Sequence, residues 1–179
     1  MNRPAPRAIT LPLSAETART LRAGQRVALS GDVYTARDAA HQRLVAALAA
    51  QAPLPLPLRG ATIYYTGPSP APPGAVVGAI GPTTAARMDA FTEPLLRAGL
   101  RGMIGKGARG DEVARALAAH GAVYFAAVGG AGALLAQHVT GCELVAYAEL
   151  GPEAIYRLTL REFPVLVAQD AQGGSVFRH

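Results

Sequence analysis

The sequence holds a single cysteine, no tryptophan and a single lysine in 179 residues. One thiol, Cys142, excludes an internal disulfide and any cysteine-rich metal site carried by this chain alone. That usage suits a reducing compartment, so the expected location is cytoplasmic. Acidic side chains are few as well, 12 against 17 basic ones, giving a formal charge of +5 and a pI near 9.9. The arginines are scattered, with no basic run, no aromatic interleaving and no nucleic-acid-binding motif. The positive balance therefore points to an anionic small molecule or an acidic protein partner, not to nucleic acid. The sequence also lacks a charge-free apolar run of the ~18 residues a membrane span needs. The nearest candidate, 122–136, is too short and is broken by Gly129-Gly130. Arg3 and Arg7 precede the first acid, Glu16, a faint likeness to a transit peptide that we read as an ordinary first strand.

What is abundant is apolar: half the residues are hydrophobic and only 16% are charged, which argues for one folded domain over 1–179. Among the 17 basic residues Lys106 is the only lysine, and it stands between Gly105 and Gly107. Arginine is larger, planar and always charged, whereas lysine is a compact charge on a flexible stem. A sequence that uses arginine elsewhere and keeps one lysine in its most glycine-rich loop marks that loop as a candidate site.

Hydrophobic alternation predicts strands over 9–13, 27–30, 61–66, 76–80, 100–104, 123–128, 144–148 and 165–169. Helices are predicted over 37–51, 93–98, 111–120 and 131–139, with a short one capped by Ser14 and stopped at Gly24. Gly31-Asp32 reads as a turn, Pro53-Leu54-Pro55-Leu56-Pro57 as an extended connector, and 152–156 and 160–163 as turns or helical pieces. Thr35-Ala36-Arg37-Asp38 has capping-box spacing, which would place Arg37 in the first turn of a helix. Gly81-Pro82 can open another helix, with Thr83 and Arg87 on one face four residues apart. Strands and helices intermix, so the expected class is α/β with a mixed sheet.

Several familiar sites are excluded. Gly105-Lys106 is followed by Gly107 instead of Ser or Thr, and Leu100 stands five residues before Gly105, so this is no phosphate-binding P-loop. Gly130-Ala131-Gly132 has Leu135 where a dinucleotide fingerprint needs its third glycine. Ser14, Ser30, Ser69 and Ser175 lie in no nucleophile-elbow pattern, and His41, His120, His138 and His179 have no metal-ligand spacing. Cys142 reads as a small buried residue. Two clusters remain: Thr35, Arg37, Asp38 and His41; and Thr83, Thr84, Arg87 and Asp89 with Lys106. Each has a plain alternative, a capped surface helix with solvated charges or a capped helix beside a tight turn. Together they offer two arginines, a lysine and a threonine at helix starts and glycine turns, which is what the two carboxylates of a small diacid require.

The runs carrying these clusters are Ser30-Gly31, Thr35-Ala36-Arg37-Asp38-Ala39-Ala40-His41 and Ile63-Tyr64-Tyr65-Thr66-Gly67-Pro68, followed by Gly81-Pro82-Thr83-Thr84-Ala85-Ala86-Arg87-Met88-Asp89. With Gly102-Met103-Ile104-Gly105-Lys106-Gly107 and Val128-Gly129-Gly130-Ala131, they resemble the β subunit, or C-terminal domain, of iron–sulfur (class I) fumarate hydratases and the similar L-tartrate dehydratases. The resemblance covers nearly the whole chain in order. Ala86 stands where glycine is common, and Gln42 where a basic residue is usual; neither touches the candidate ligands.

The resemblance implies a swivelling β/β/α domain and a hydro-lyase acting on malate and fumarate, or on L-tartrate. It implies a [4Fe–4S] cluster on three cysteines of a partner α subunit, whose open iron is a Lewis acid toward the substrate. It further implies that Arg37, Arg87 and Lys106 grip substrate carboxylates, that Thr83 is the candidate base, and that Asp38 and His41 orient Arg37. No metal is expected on this chain. The expected assembly is a dimer of the paired unit, and a non-catalytic anion-binding or assembly module of the same fold is the alternative.

Overall fold

The computed structural model describes residues 5–177, so Arg3 and His179 lie outside it. Seven strands form one mixed sheet: β1 (Arg7–Thr10), β2 (Arg26–Thr35), β3 (Thr62–Tyr64), β4 (Gly102–Gly105), β5 (Val123–Ala126), β6 (Val139–Ala146) and β7 (Ile155–Gln169). Five α-helices join them: α1 (Ala15–Thr20), α2 (Asp38–Ala49), α3 (Asp89–Arg97), α4 (Asp111–His120) and α5 (Gly132–Ala136). β1 to β5 pair in parallel with their neighbours, whereas β7 runs antiparallel to β2, β5 and β6. Because β7 pairs with β5 at one end and β2 along its length, the ladder β2–β3–β4–β5–β7 returns to β2 and closes on itself. The mixed α/β class expected from the pattern is the class observed.

Strand alternation divides the interior in two. Tyr64, Ile104, Val123 and Phe125 join Ile9, Val27, Leu29, Leu158 and Phe163 in one core, under α1 and α5. Their neighbours in sequence, Ile63, Tyr65, Met103 and Tyr124, face the opposite way and pack with Leu44 of α2, Leu95 of α3 and Leu117 of α4. Strands apolar on both faces are those that need cover on both sides.

Four expectations are corrected. β2 does not turn at Gly31-Asp32 but runs through it, with a register shift between Leu29 and Gly31 where β7 pairs on both sides. Gly31 sits at φ 119°, and a Cβ there would meet the Leu11 carbonyl oxygen at 2.7 Å, so the glycine makes a bulge beside β1. The piece read as a turn or helical stretch at 152–156 is the end of a 3-10 helix, Ala148–Glu153, running into β7, whereas 160–163 lies inside β7, which continues through Glu162 at φ 50°. Residues 76–80 form no strand, and the chain bends at Val76. β6 begins at Val139, where a helix had been expected to end.

Candidate functional site

The parallel strands place their C-terminal ends along one edge, which is where ligands gather in α/β sheets. Arg37 follows β2, Thr66 and Gly67 follow β3, Lys106 follows β4, and Gly129 follows the end of β5. Across these ends lies the extended segment 79–84. The Ser69 amide donates to the Ala79 carbonyl and the Ala79 amide to the Ser69 hydroxyl oxygen, the Tyr64 hydroxyl donates to the Ile80 carbonyl, and the Thr66 hydroxyl donates to that of Gly81 at 2.8 Å. The Thr83 amide donates to the Tyr65 carbonyl at 2.6 Å, and its carbonyl accepts from the Lys106 amide at 3.2 Å. The Ala85 amide then donates to the Lys106 carbonyl at 2.9 Å, completing a small parallel bridge between Thr84 and Lys106. Thr83 and Lys106, separated by 23 positions in the numbering, are thereby neighbours.

That bridge needs a glycine. A Cβ on Gly105 would meet the Tyr65 ring at 2.9 Å and the Ala85 methyl at 3.0 Å. Any other residue would push Thr83 and Lys106 apart. A Cβ on Gly67 would meet the Pro152 carbonyl oxygen at 2.9 Å and, less tightly, the Arg37 Cδ at 3.3 Å and Nη1 at 3.4 Å. Gly129 lies against the Lys106 stem, 3.4 Å from its Cδ to the position of a Cβ.

Thr83 and Arg87 do not share a helical face. The chain is extended at Thr84, with φ −57° and ψ 117°, and coils into a 3-10 turn only over Ala85–Met88 before α3. Thr83 is fixed by the bridge to Lys106 and Arg87 by the turn. The capping box is not formed either. Arg37 is the N-cap of α2 and caps nothing with its side chain. Thr35 instead accepts from the Tyr156 amide at 3.0 Å and donates to the Ala154 carbonyl at 3.3 Å, tying β2 to the start of β7.

The charges divide in a way the sequence did not anticipate. Asp38 orients Arg87, not Arg37: Arg87 Nε and Nη2 donate to its two carboxylate oxygens at 3.1 and 2.6 Å. This pairing takes one edge of the guanidinium and leaves Nη1 without a hydrogen bond among the described residues. Arg37 has Glu153 beside it, with Nε 3.9 Å from Oε1, an ion pair without a hydrogen bond. Lys106 is exposed and has no ion pair among the described residues. Three cations thus face two carboxylates, and both Arg37 and Lys106 keep donors to spare. His41 meets the backbone of Arg37, not its guanidinium. Its Nδ1 is 2.8 Å from the Arg37 carbonyl, which can only accept, so Nδ1 carries the proton. Burial lowers the His41 pKa to about 4, so the ring is neutral, packed edge-on to Tyr65 and beside Phe91.

One functional-looking residue escaped sequence reasoning. Arg109 has a fully buried side chain, bonded to Asp89 at 2.6 Å, Thr92 at 2.7 Å and the Tyr65 hydroxyl at 3.2 Å. Its guanidinium lies over the rings of Tyr65 and Tyr124. Nothing local distinguishes it from the other arginines, because its partners come from three separate stretches of chain. Asp89 is consequently spent on Arg109 and the Gly110 amide, not on Arg87.

Among the described residues no group of three His, Cys, Asp or Glu side chains could hold a metal ion, and no helix is long and apolar enough to cross a membrane. Cys142 lies on β6, half-buried, with its thiol pKa raised by burial. With Cys142 the single cysteine of the sequence, the three thiolates that the resemblance implies for a cluster are not supplied by this chain.

Residues 5–179 match the family model Fumarase C-terminus. The chain is 38% identical over 155 residues to the Escherichia coli (strain K12) protein named fumarate hydratase class I, anaerobic, covering 86% of this chain and 28% of that one. To fumarate hydratase 1, mitochondrial, of Leishmania major it is 36% identical over 179 residues, covering 99% of this chain and 32% of that protein. It is also 36% identical over 171 residues to a Methanocaldococcus jannaschii protein provisionally named L(+)-tartrate dehydratase subunit beta, covering 92% of this chain and 88% of the other. The chain thus spans about a third or less of the fumarate hydratases it matches, but most of the length of the subunit. A match over nearly every residue settles the family: this chain belongs to the fumarase C-terminal family.

Proposed function

We propose that this chain is the β subunit of an iron–sulfur hydro-lyase that interconverts malate and fumarate, active only with a cluster-bearing α partner. The observation that carries the reading is the convergence of Arg37, Arg87, Lys106 and Thr83 on one sheet edge, held there by the Thr84–Lys106 bridge and the Asp38–Arg87 pair. Arg87 can offer a carboxylate its Nη1 together with the second proton of Nη2. Arg37 can offer its unbonded terminal nitrogens, and Lys106 a compact ammonium that reaches where a planar group would not.

Dehydration removes a proton from the carbon next to one carboxylate and hydroxide from the adjacent carbon. In this reading Thr83, whose backbone carbonyl accepts from the Lys106 amide, takes the proton. A hydroxyl is a weak base, so the neighbouring cations must favour its alkoxide. The cluster, when bound on the partner, supplies Lewis acidity toward the departing hydroxyl. This chain's part is to bind both carboxylates, hold the carbon acid against Thr83 and present an open face to the partner. A dimer of the paired unit, in a cytoplasmic setting, completes the reading.

The second reading is an L-tartrate dehydratase subunit, supported by the 36% identity to the Methanocaldococcus jannaschii relative over 171 residues. Assaying the anaerobically reconstituted pair on malate and on L-tartrate separates the two: preferential turnover of tartrate would displace the first. A non-catalytic module would instead keep assembly and normal turnover after Thr83→Ala and Arg87→Lys.

A further inference from the structure

We infer that Arg109, acting with Tyr124, is a positioning residue for Lys106; the inference rests on the assignment of Lys106 to carboxylate binding. Lys106 stands at the end of β4, bridged on its N-terminal side to Thr83 and Ala85. On its C-terminal side the chain turns at once through Gly107, at φ 80°. An exposed glycine turn would leave the ammonium loosely placed. Three bonds prevent this. The Tyr124 hydroxyl donates to the Gly107 carbonyl at 2.8 Å, the Gly110 amide donates to Asp89 Oδ2 at 2.8 Å, and Arg109 Nε donates to Asp89 Oδ1 at 2.6 Å.

Arg109 joins the three segments that carry the site. Through Asp89 it grips the start of α3, two residues beyond Arg87. Through the Tyr65 hydroxyl it reaches the residue whose carbonyl holds the Thr83 amide. Its guanidinium lies 5.1 Å from the Tyr124 ring centre, so the same contact steadies the tyrosine that anchors Gly107. A fully buried arginine is costly unless every donor is used, and here Nε, Nη1 and Nη2 all have partners. Simple stability would be served as well by an apolar side chain. What the arginine adds is directional coupling among Lys106, Thr83 and Arg87.

Arg109→Lys keeps the charge but not the fork, and it risks the fold. Tyr124→Phe keeps the ring and removes only the hydroxyl on Gly107, so it is the cleaner variant. The test is a double-mutant cycle in the assembled enzyme with Tyr124→Phe, Lys106→Ala and both. Tyr124→Phe is expected to lower kcat/KM about tenfold, mostly through KM, in the parent background, but less than about twofold once Lys106 is Ala. Equal losses in both backgrounds, or no loss in the parent, overturn the inference and leave the functional reading standing. Amide exchange on the isolated chain reads positioning without any assay. Tyr124→Phe should speed exchange at Lys106 to Gly110 while β2 and α2 stay protected; unchanged exchange there overturns the inference even if no substrate turns over.

Discussion

Asp38 at the first turn of α2 holds Arg87 ahead of α3 through two near-parallel hydrogen bonds, 3.1 Å from Nε to Oδ1 and 2.6 Å from Nη2 to Oδ2. The side chains are 30% and 50% exposed, so the pair contributes to stability at most about 1 kcal/mol. Its value lies in aim, because a guanidinium held along one edge presents its remaining donors in a single direction. Asp38→Asn should therefore change the unfolding midpoint little yet lower kcat/KM about tenfold. Thermal unfolding and steady-state kinetics on the same preparation check this. A large loss of stability with normal kinetics would make the pair structural.

Thr83→Ala removes the proposed base but none of the cations. Removing a general base typically costs ~10²–10⁴-fold, so kcat should fall within that range while KM stays within about threefold. Single-turnover kinetics separate this from slower product release. Near-normal kcat would return Thr83 to the role of a spacer between Tyr65 and Lys106.

Lys106→Arg conserves charge and still should lower kcat/KM at least about tenfold. The stem runs beside Gly129, and the chain turns at Gly107 with φ 80°. A planar guanidinium on a longer stem would carry its charge beyond the point the ammonium reaches. Full activity in the arginine variant would show that charge alone is read.

His41 predicts an acid limb in stability. Its folded pKa of about 4 lies below the ordinary value of 6.5, with burial the largest cause. Between those pH values the unfolded chain carries a proton the folded chain lacks, so the contribution is complete above pH 6.5 and falls as pH drops toward 4. Over that window the loss approaches roughly 3 kcal/mol. Urea unfolding at several pH values should show this slope in the parent and not in His41→Gln. Parallel slopes in the two proteins would remove His41 from the account.

The sequence made short, regular elements plain and long, interrupted ones obscure. β4, β5 and α4 each have uniform periodicity between glycines and were read within a few residues. β7 was not, because Pro164 and Glu162 break its alternation, and only pairing with β2, β5 and β6 keeps so irregular a run extended. β2 hid its length behind Gly31 for the same reason. At the site, Thr83, Arg37, Arg87 and Lys106 stood out by residue type and motif, and the sheet edge gathers the segments that bear them. Their partners did not stand out. That Asp38 serves Arg87, and that Arg109 lies buried between two tyrosines, depends on segments brought together only by the closed ladder of strands.

The central claim is that this chain supplies the carboxylate-binding side of a hydro-lyase site and nothing that completes it. The most direct measurement is anaerobic conversion of malate to fumarate by the chain alone, by an iron–sulfur α partner alone and by the reconstituted pair. The account predicts turnover by the pair only, abolished by Thr83→Ala with assembly intact. Robust turnover by this chain alone, or a correctly assembled pair inert toward both malate and L-tartrate, would contradict it.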